Sequence, residues 1–178
     1  MLPIGKSLPI FSLPNTLNNT IFRSTSLIND KPSLLMVICN HCPYVIHYHN
    51  AIQKMYSEYK KEVNFVAISV NDVNAYPQDN PDQMKALFQA LQLDFPYLYD
   101  ASQAIAKELE AECTPEFYLY NQNQKLVYRG RLDDSTPGNQ IKITGKDVRD
   151  AIQSTLQGKK LKRKQYPSMG CSIKWIKN

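Results

Sequence analysis

Leu34-Leu35-Met36-Val37-Ile38-Cys39-Asn40-His41-Cys42-Pro43-Tyr44-Val45 decides how this chain is read. Five apolar residues without a polar break, Leu34–Ile38, read as a central strand covered on both faces. From Pro43 to Lys61, Val45, His49, Ile52, Met55, Tyr56 and Tyr59 recur at helical spacing. Pro43 falls in the first helical turn, where a missing N–H costs little. Between strand and helix stand two thiols, Cys39 and Cys42. Unpaired N–H groups and the positive end of the helix dipole stabilise a thiolate at such a place, and the spacing predicts this for Cys39. A second thiol three residues on can close a disulfide. The same spacing is also half of a zinc site, so the context decides.

Downstream, Val63–Val70 reads as the next buried strand, parallel to the first with a right-handed crossover. Asn71–Asn80 is a loop. Asn80-Pro81 predicts an N-cap and first helical residue, with Met84, Leu87, Phe88 and Leu91 on one face. Tyr97–Tyr99 is a short strand, and Ala101–Glu112 a helix with Ile105 and Leu109 inward. Glu116–Tyr120 and Lys125–Arg129 read as a hairpin around Asn121-Gln122-Asn123-Gln124. Gly130–Gly145 is polar and reads as an exposed loop. Thr144 and Asp147 resemble a capping box for a last helix carrying Val148, Ile152 and Leu156, which Gly158 ends. Upstream, Ile10–Leu13 and Thr20–Phe22 predict a hairpin within residues 1–33. Residues 159–178 form a tail with Cys171 and Trp175. The expected fold is α/β: one domain over 1–178, a mixed central sheet with helices on both faces, extended by an N-terminal hairpin and a C-terminal tail.

The 178 residues are enough for one real core, and the apolar fraction of 43% is ordinary for a globular chain. No stretch is apolar for the length a membrane span needs, and Met1–Lys6 lacks the pattern of a signal peptide. A cytoplasmic location is the expectation, with no membrane partner. Four cysteines there point to catalysis or metal binding rather than a disulfide framework. Part of the net charge of +5 lies in Lys159, Lys160, Lys162, Arg163 and Lys164. Without interleaved aromatic residues this run reads as a solvated tail, and no nucleic-acid partner is expected.

Three stretches carry a family resemblance: Gly5–Leu13, Ile38–Val45 and Cys113-Thr114-Pro115-Glu116-Phe117, joined by Gly170–Trp175 near the end. Together they resemble the thioredoxin-like superfamily, in its peroxiredoxin-like (AhpC/TSA-like) branch that carries a CxxC. The resemblance implies a thioredoxin-like fold. It also implies that Pro115 is a cis-proline facing the CxxC, leaving the Thr114 backbone to pair with a substrate segment.

The chemistry this implies is thiol–disulfide exchange. Cys39 attacks a partner disulfide, Cys42 resolves the mixed disulfide, and an imidazolium at His41 stabilises the thiolate and so makes the disulfide more oxidising. Protein or small-molecule disulfides and an upstream thiol reductant are the expected partners. No organic cofactor is implied. Cys113 and Cys171 are candidate accessory redox thiols, either a relay pair or two buried thiols. No metal is expected, because His47 and His49 are not spaced for joint ligation with Cys42 and neither a second CxxC nor an HxxxH occurs. Two rival readings stay open. A thiol peroxidase would need the threonine that stands three residues before the peroxidatic cysteine in peroxiredoxins, and Met36 stands there, while Arg129 and Arg131 offer positive charge. A redox-switched binding module would keep the CxxC without turnover.

Overall fold

The apolar run after Pro32 forms the middle strand of a five-stranded sheet. The computed structural model describes residues 2–28, 30–162 and 164–177; the Arg163 of the basic run lies outside them. In chain order the elements are β1 (Ser12–Pro14), β2 (Ile21–Arg23), β3 (Ser33–Val37), α1 (Pro43–Tyr59), β4 (Asn64–Ser69), α2 (Pro81–Ala90), β5 (Tyr97–Tyr99), α3 (Ala104–Glu108), β6 (Cys113–Thr114), β7 (Glu116–Tyr120), β8 (Leu126–Gly130), α4 (Lys146–Leu156) and β9 (Cys171–Ser172). The central sheet has the order β5-β4-β3-β7-β8. Its β3–β4 and β4–β5 pairs are parallel, and its β3–β7 and β7–β8 pairs are antiparallel. The α/β class, the mixed sheet and the N-terminal hairpin β1–β2 are as expected. Among the described residues no helix is long and apolar enough to cross a membrane.

Both faces of β3 are covered, which is why its sequence shows no alternation. Leu34 and Met36 join Phe65, Ala67, Phe117 and Leu119 in one core layer under α1, α2 and α4. Leu35 and Val37 join Val66, Ile68, Tyr118 and Tyr120 in the other, under α3 and the tail residue Ile173. Each such side chain contributes roughly 1.5–3 kcal/mol by leaving water.

Four local expectations need correction. The buried face of α1 is Val45, Tyr48, Ile52 and Met55, with Tyr48 in the place expected for His49. Both positions fit a 3.6-residue period. Tyr48 takes the inward one because its hydroxyl reaches the Ser135 carbonyl. The helix expected over Ala101–Glu112 shrinks to α3, bounded by left-handed Gln103 and Glu110. The Asp100 carboxylate, accepting from the main chain of Ile105 at 2.8 Å, fixes where it starts.

The stretch from Gly130 to Gly145 is not simply exposed, since Leu132, Asp133 and Ser135 are buried. Asp133 accepts from the main-chain N–H of Thr144 (2.7 Å), Gly145 (2.6 Å) and Ser135 (2.9 Å). It therefore serves the start of α4 in place of the expected Thr144 capping box, and Gly145 is the N-cap. At the other end Gly158 does close α4. It is left-handed, and the N–H of Lys159 reaches back to Ser154 O at 2.8 Å.

Candidate active site

The sheet ends where Ile38 N–H still reaches Ile68 O, at 3.0 Å. Residues 39–42 then turn from the C-terminal end of β3 into α1. Cys42, and not Cys39, is the N-cap of that helix. This corrects the expectation that Cys39 meets the free N–H groups. The main-chain N–H groups of Asn40 and His41 are both bound to one carboxylate oxygen, Asp79 Oδ1, at 2.8 and 3.2 Å.

Asp79 lies in the loop after β4 and is fully buried. Its Oδ2 takes Asn71 Nδ2 at 2.8 Å and meets His41 Nδ1 at 2.6 Å. The His41 ring stacks on Tyr76 with centroids 5.3 Å apart, while Tyr97 OH donates to Asn40 Oδ1 at 3.2 Å. Sequence reading missed Asp79, Asn71 and Tyr97. A usable signal existed: loops leaving the C-terminal ends of adjacent parallel strands lie side by side, and that is where α/β sheets place their sites.

From the other side the Thr114-Pro115 segment closes the pair, through a cis peptide bond. Thr114 Oγ1 lies 3.4 Å from Cys39 Sγ, and Thr114 O lies 3.1 Å from Cys42 Sγ. Both sulfurs are buried with no exposure. Their hydrogen bond to one another, then burial, then the Asp79 carboxylate push the Cys39 thiol up. The same bond from Cys39, helped by Cys171 and Thr114 and opposed by burial, pulls Cys42 down to about 4. These shifts belong to the pair: the first proton leaves readily and the second is held. On Cys39 the remaining proton is given to Cys42; on Cys42 it is given to the Thr114 carbonyl.

The Thr114 main chain is not free for an added strand. Strand β9 already pairs with β6, setting Cys171 opposite Thr114 and Ser172 opposite Cys113. The approach needs Gly170, where a Cβ would stand 2.1 Å from Thr114 O. The tail is held further on by Lys174 N–H to Asn71 Oδ1 and by Ile176 N–H to Gln103 Oε1. Cys171 is thus brought to the site, opposite Thr114 and packed against the core layer that holds Cys39 and Cys42.

Cys113 is not brought together with Cys171. Neighbours along a strand alternate faces, so the two thiols leave opposite sides of the β6–β9 ribbon. Burial, then Glu116, push the Cys113 thiol up to about 12.

Neither candidate arginine is turned to Cys39 or Cys42. Arg129 is buried and gives Nε to Glu116 Oε1 at 2.9 Å, and Arg131 gives Nε to Asp147 Oδ2 at 2.7 Å. Cys39, His41 and Asp79 form a group of possible metal ligands, with atoms within 4.8 Å of one another. Asp79 is already bound by the donors of residues 40, 41 and 71.

A family model described as the AhpC/TSA family matches residues 4–129. No curated protein matches the chain. Among solved structures, an uncharacterized conserved protein from Geobacillus kaustophilus is 44% identical, with a TM-score of 0.97 over 100% of this chain and 95% of its own. A hypothetical protein from Sinorhizobium meliloti 1021 is 36% identical, with a TM-score of 0.96 over 100% of this chain and 97% of its own. A secreted disulfide oxidoreductase of Mycobacterium tuberculosis shares the fold at 16% identity, with a TM-score of 0.61 over 81% of this chain and 95% of its own. With its model matched from the N-terminal hairpin through β8, and with a thioredoxin-like mixed sheet beneath it, the chain belongs to the AhpC/TSA family.

Proposed function

We propose that this chain is a thiol–disulfide oxidoreductase that cycles Cys39 and Cys42 between dithiol and disulfide. The observation that carries the reading is a pair of buried cysteines at the start of α1 beneath Thr114, with Cys39 Sγ 3.4 Å from its hydroxyl and Cys42 Sγ 3.1 Å from its carbonyl. When a partner disulfide reaches Cys39, the proton that the pair retains passes to Cys42, where the Thr114 carbonyl accepts it. The Cys39 thiolate, facing the Thr114 hydroxyl, attacks one partner sulfur and expels the other as a thiolate. Cys42 then gives its proton to that leaving thiolate and attacks Cys39 Sγ, closing the Cys39–Cys42 disulfide and freeing the second partner thiol. His41 and Asp79 set the electrostatics at Cys39, and an external thiol returns the pair to the dithiol.

Peroxide reduction is the second reading, and Thr114 favours it, because its hydroxyl stands beside Cys39 as a peroxide-binding threonine would. The charge around Cys39 opposes it. The nearest fixed charge is a carboxylate, and both candidate arginines are paired elsewhere. Turnover with a protein disulfide, measured beside hydrogen peroxide consumption with Cys39→Ser as control, separates the two. The proposal expects fast, Cys39-dependent disulfide reduction, with peroxide reacting no faster than with free cysteine. The reverse order of rates would make this a peroxidase, and no turnover with either would leave a binding module.

A further inference from the structure

The tail does more than cover the site. Strand β9 lies along the Thr114 edge, where an extended substrate would pair, and carries a cysteine at the position opposite Thr114. The Cys171 side chain thereby lies on the same face as the Thr114 side chain, towards the thiol pair, and packs against the core layer that holds Cys39 and Cys42. Those two sulfurs have no exposure, whereas Cys171 is partly exposed. Cys171 is therefore the thiol of this cluster that the solvent meets.

We propose that Cys171 is a third redox thiol, which takes the disulfide from Cys39–Cys42 through Cys42 and presents it at the surface. The inference rests on the reading of Cys39 and Cys42 as a redox pair. In the transfer, Cys171 as a thiolate attacks Cys42 Sγ. The Cys39–Cys42 bond breaks, the Cys42–Cys171 bond forms, and the departing Cys39 sulfur takes up the proton that Cys171 has lost. No electrons enter or leave in this step. A small thiol from solution then attacks Cys171 Sγ, the exposed end of the new bond, and Cys42 departs as a thiolate. A second small thiol attacks the mixed disulfide and releases Cys171 together with the disulfide of the small thiol. The two electrons of the cycle thus come from two external thiols.

A thiol of low pKa is the better leaving group, and Cys42, which departs when the small thiol attacks Cys171, is the sulfur pulled down, to about 4. Burial and then the hydrogen bond to Cys42 push Cys171 up to about 11, while Lys174 works against them and the Tyr44 main chain donates to it. Cys171 thus rests as a thiol and becomes a strong nucleophile once deprotonated. Cys113, on the opposite face of the ribbon, is a built-in control.

Disulfide mapping tests the proposal. The full-length reduced protein is oxidised with one equivalent of diamide, quenched in acid, alkylated and digested. The wild type is expected to yield Cys39–Cys42 and Cys42–Cys171 peptides, Cys39→Ser to yield Cys42–Cys171, and Cys171→Ser to yield Cys39–Cys42, with Cys113 alkylated throughout. Cys39–Cys42 in the wild type without any Cys42–Cys171, there or in Cys39→Ser, overturns the relay and leaves the redox pair standing. Failure of Cys39–Cys42 to form in the wild type overturns both. A rate gives a second, independent reading. Reduction of the oxidised protein by glutathione should slow about tenfold in Cys171→Ser, and unchanged rates would count against the relay.

Discussion

Asp79 binds His41 twice, through the main-chain N–H at 3.2 Å and through ring Nδ1 at 2.6 Å. The imidazole beside the thiols therefore stands against a buried carboxylate that itself opposes a thiolate at Cys39. Removing either partner unmasks the other. His41→Gly should leave the carboxylate uncompensated, destabilise the reduced pair and lower the reduction potential. Asp79→Asn should raise it. Each shift should be on the order of 20–40 mV, since 30 mV corresponds to about 1.4 kcal/mol for a two-electron couple. Equilibration of each variant with a glutathione buffer measures this, and shifts of the same sign would refute the account.

The thiolate of the reduced pair should titrate in acid. Absorbance at 240 nm should fall with a midpoint near 4 as Cys42 takes up its proton. Cys39→Ala removes the main donor and should raise the midpoint, and Cys42→Ala should abolish the acidic transition. Because the folded value lies below the free-thiol value of 9.0, this group stabilises the reduced fold fully above pH 9. That contribution is lost as the pH falls through about 4. A reduced protein whose thiolate titrates only near 9 would contradict this.

Gly170→Ala puts a methyl group 2.1 Å from Thr114 O, a main-chain atom that cannot swing aside. The expected result is release of β9, with loss of about 1–3 kcal/mol of stability from the forced contact. Hydrogen exchange at Ile173 and Lys174 should speed up, and maleimide should label Cys171 at least about tenfold faster. An alanine variant with the parent labelling rate would mean that the tail does not pack as described.

Asp133→Ala removes the acceptor of two main-chain donors at the start of α4, Thr144 and Gly145, and of Ser135 N–H in the loop before it. Leaving such groups buried and unpaired should cost about 2–4 kcal/mol, read as a lower urea midpoint. Asp133→Asn keeps an oxygen and should cost less. Equal losses would argue that charge, and not hydrogen bonding, is what Asp133 supplies.

The parts of this molecule that local pattern governs were legible in the chain. Leu34–Ile38 announces a doubly covered strand, Asn80-Pro81 announces a helix start, and Gly158 a helix end, because each depends on residues a few positions away. Asp79 was not legible. Its role comes from contact with residues almost forty positions earlier, which a loop composition does not record. The docking of β9 was equally hidden, since it depends on main-chain pairing and on a glycine that offers no side chain to read. The choice between Tyr48 and His49 was invisible for a different reason: helical periodicity admits both, and only the Ser135 carbonyl decides.

Strand β9 is the last strand in the chain, well after β8, and a chain made from its N-terminus at about 5–20 residues per second folds its earlier parts first. The sheet and α1 can therefore assemble while the thiols still lie open. A newly made molecule passes through an interval in which alkylating and oxidising agents reach Cys39 and Cys42 freely, and that interval ends when the tail docks. Damage to these thiols should accordingly follow the rate of protein synthesis rather than the amount of mature protein.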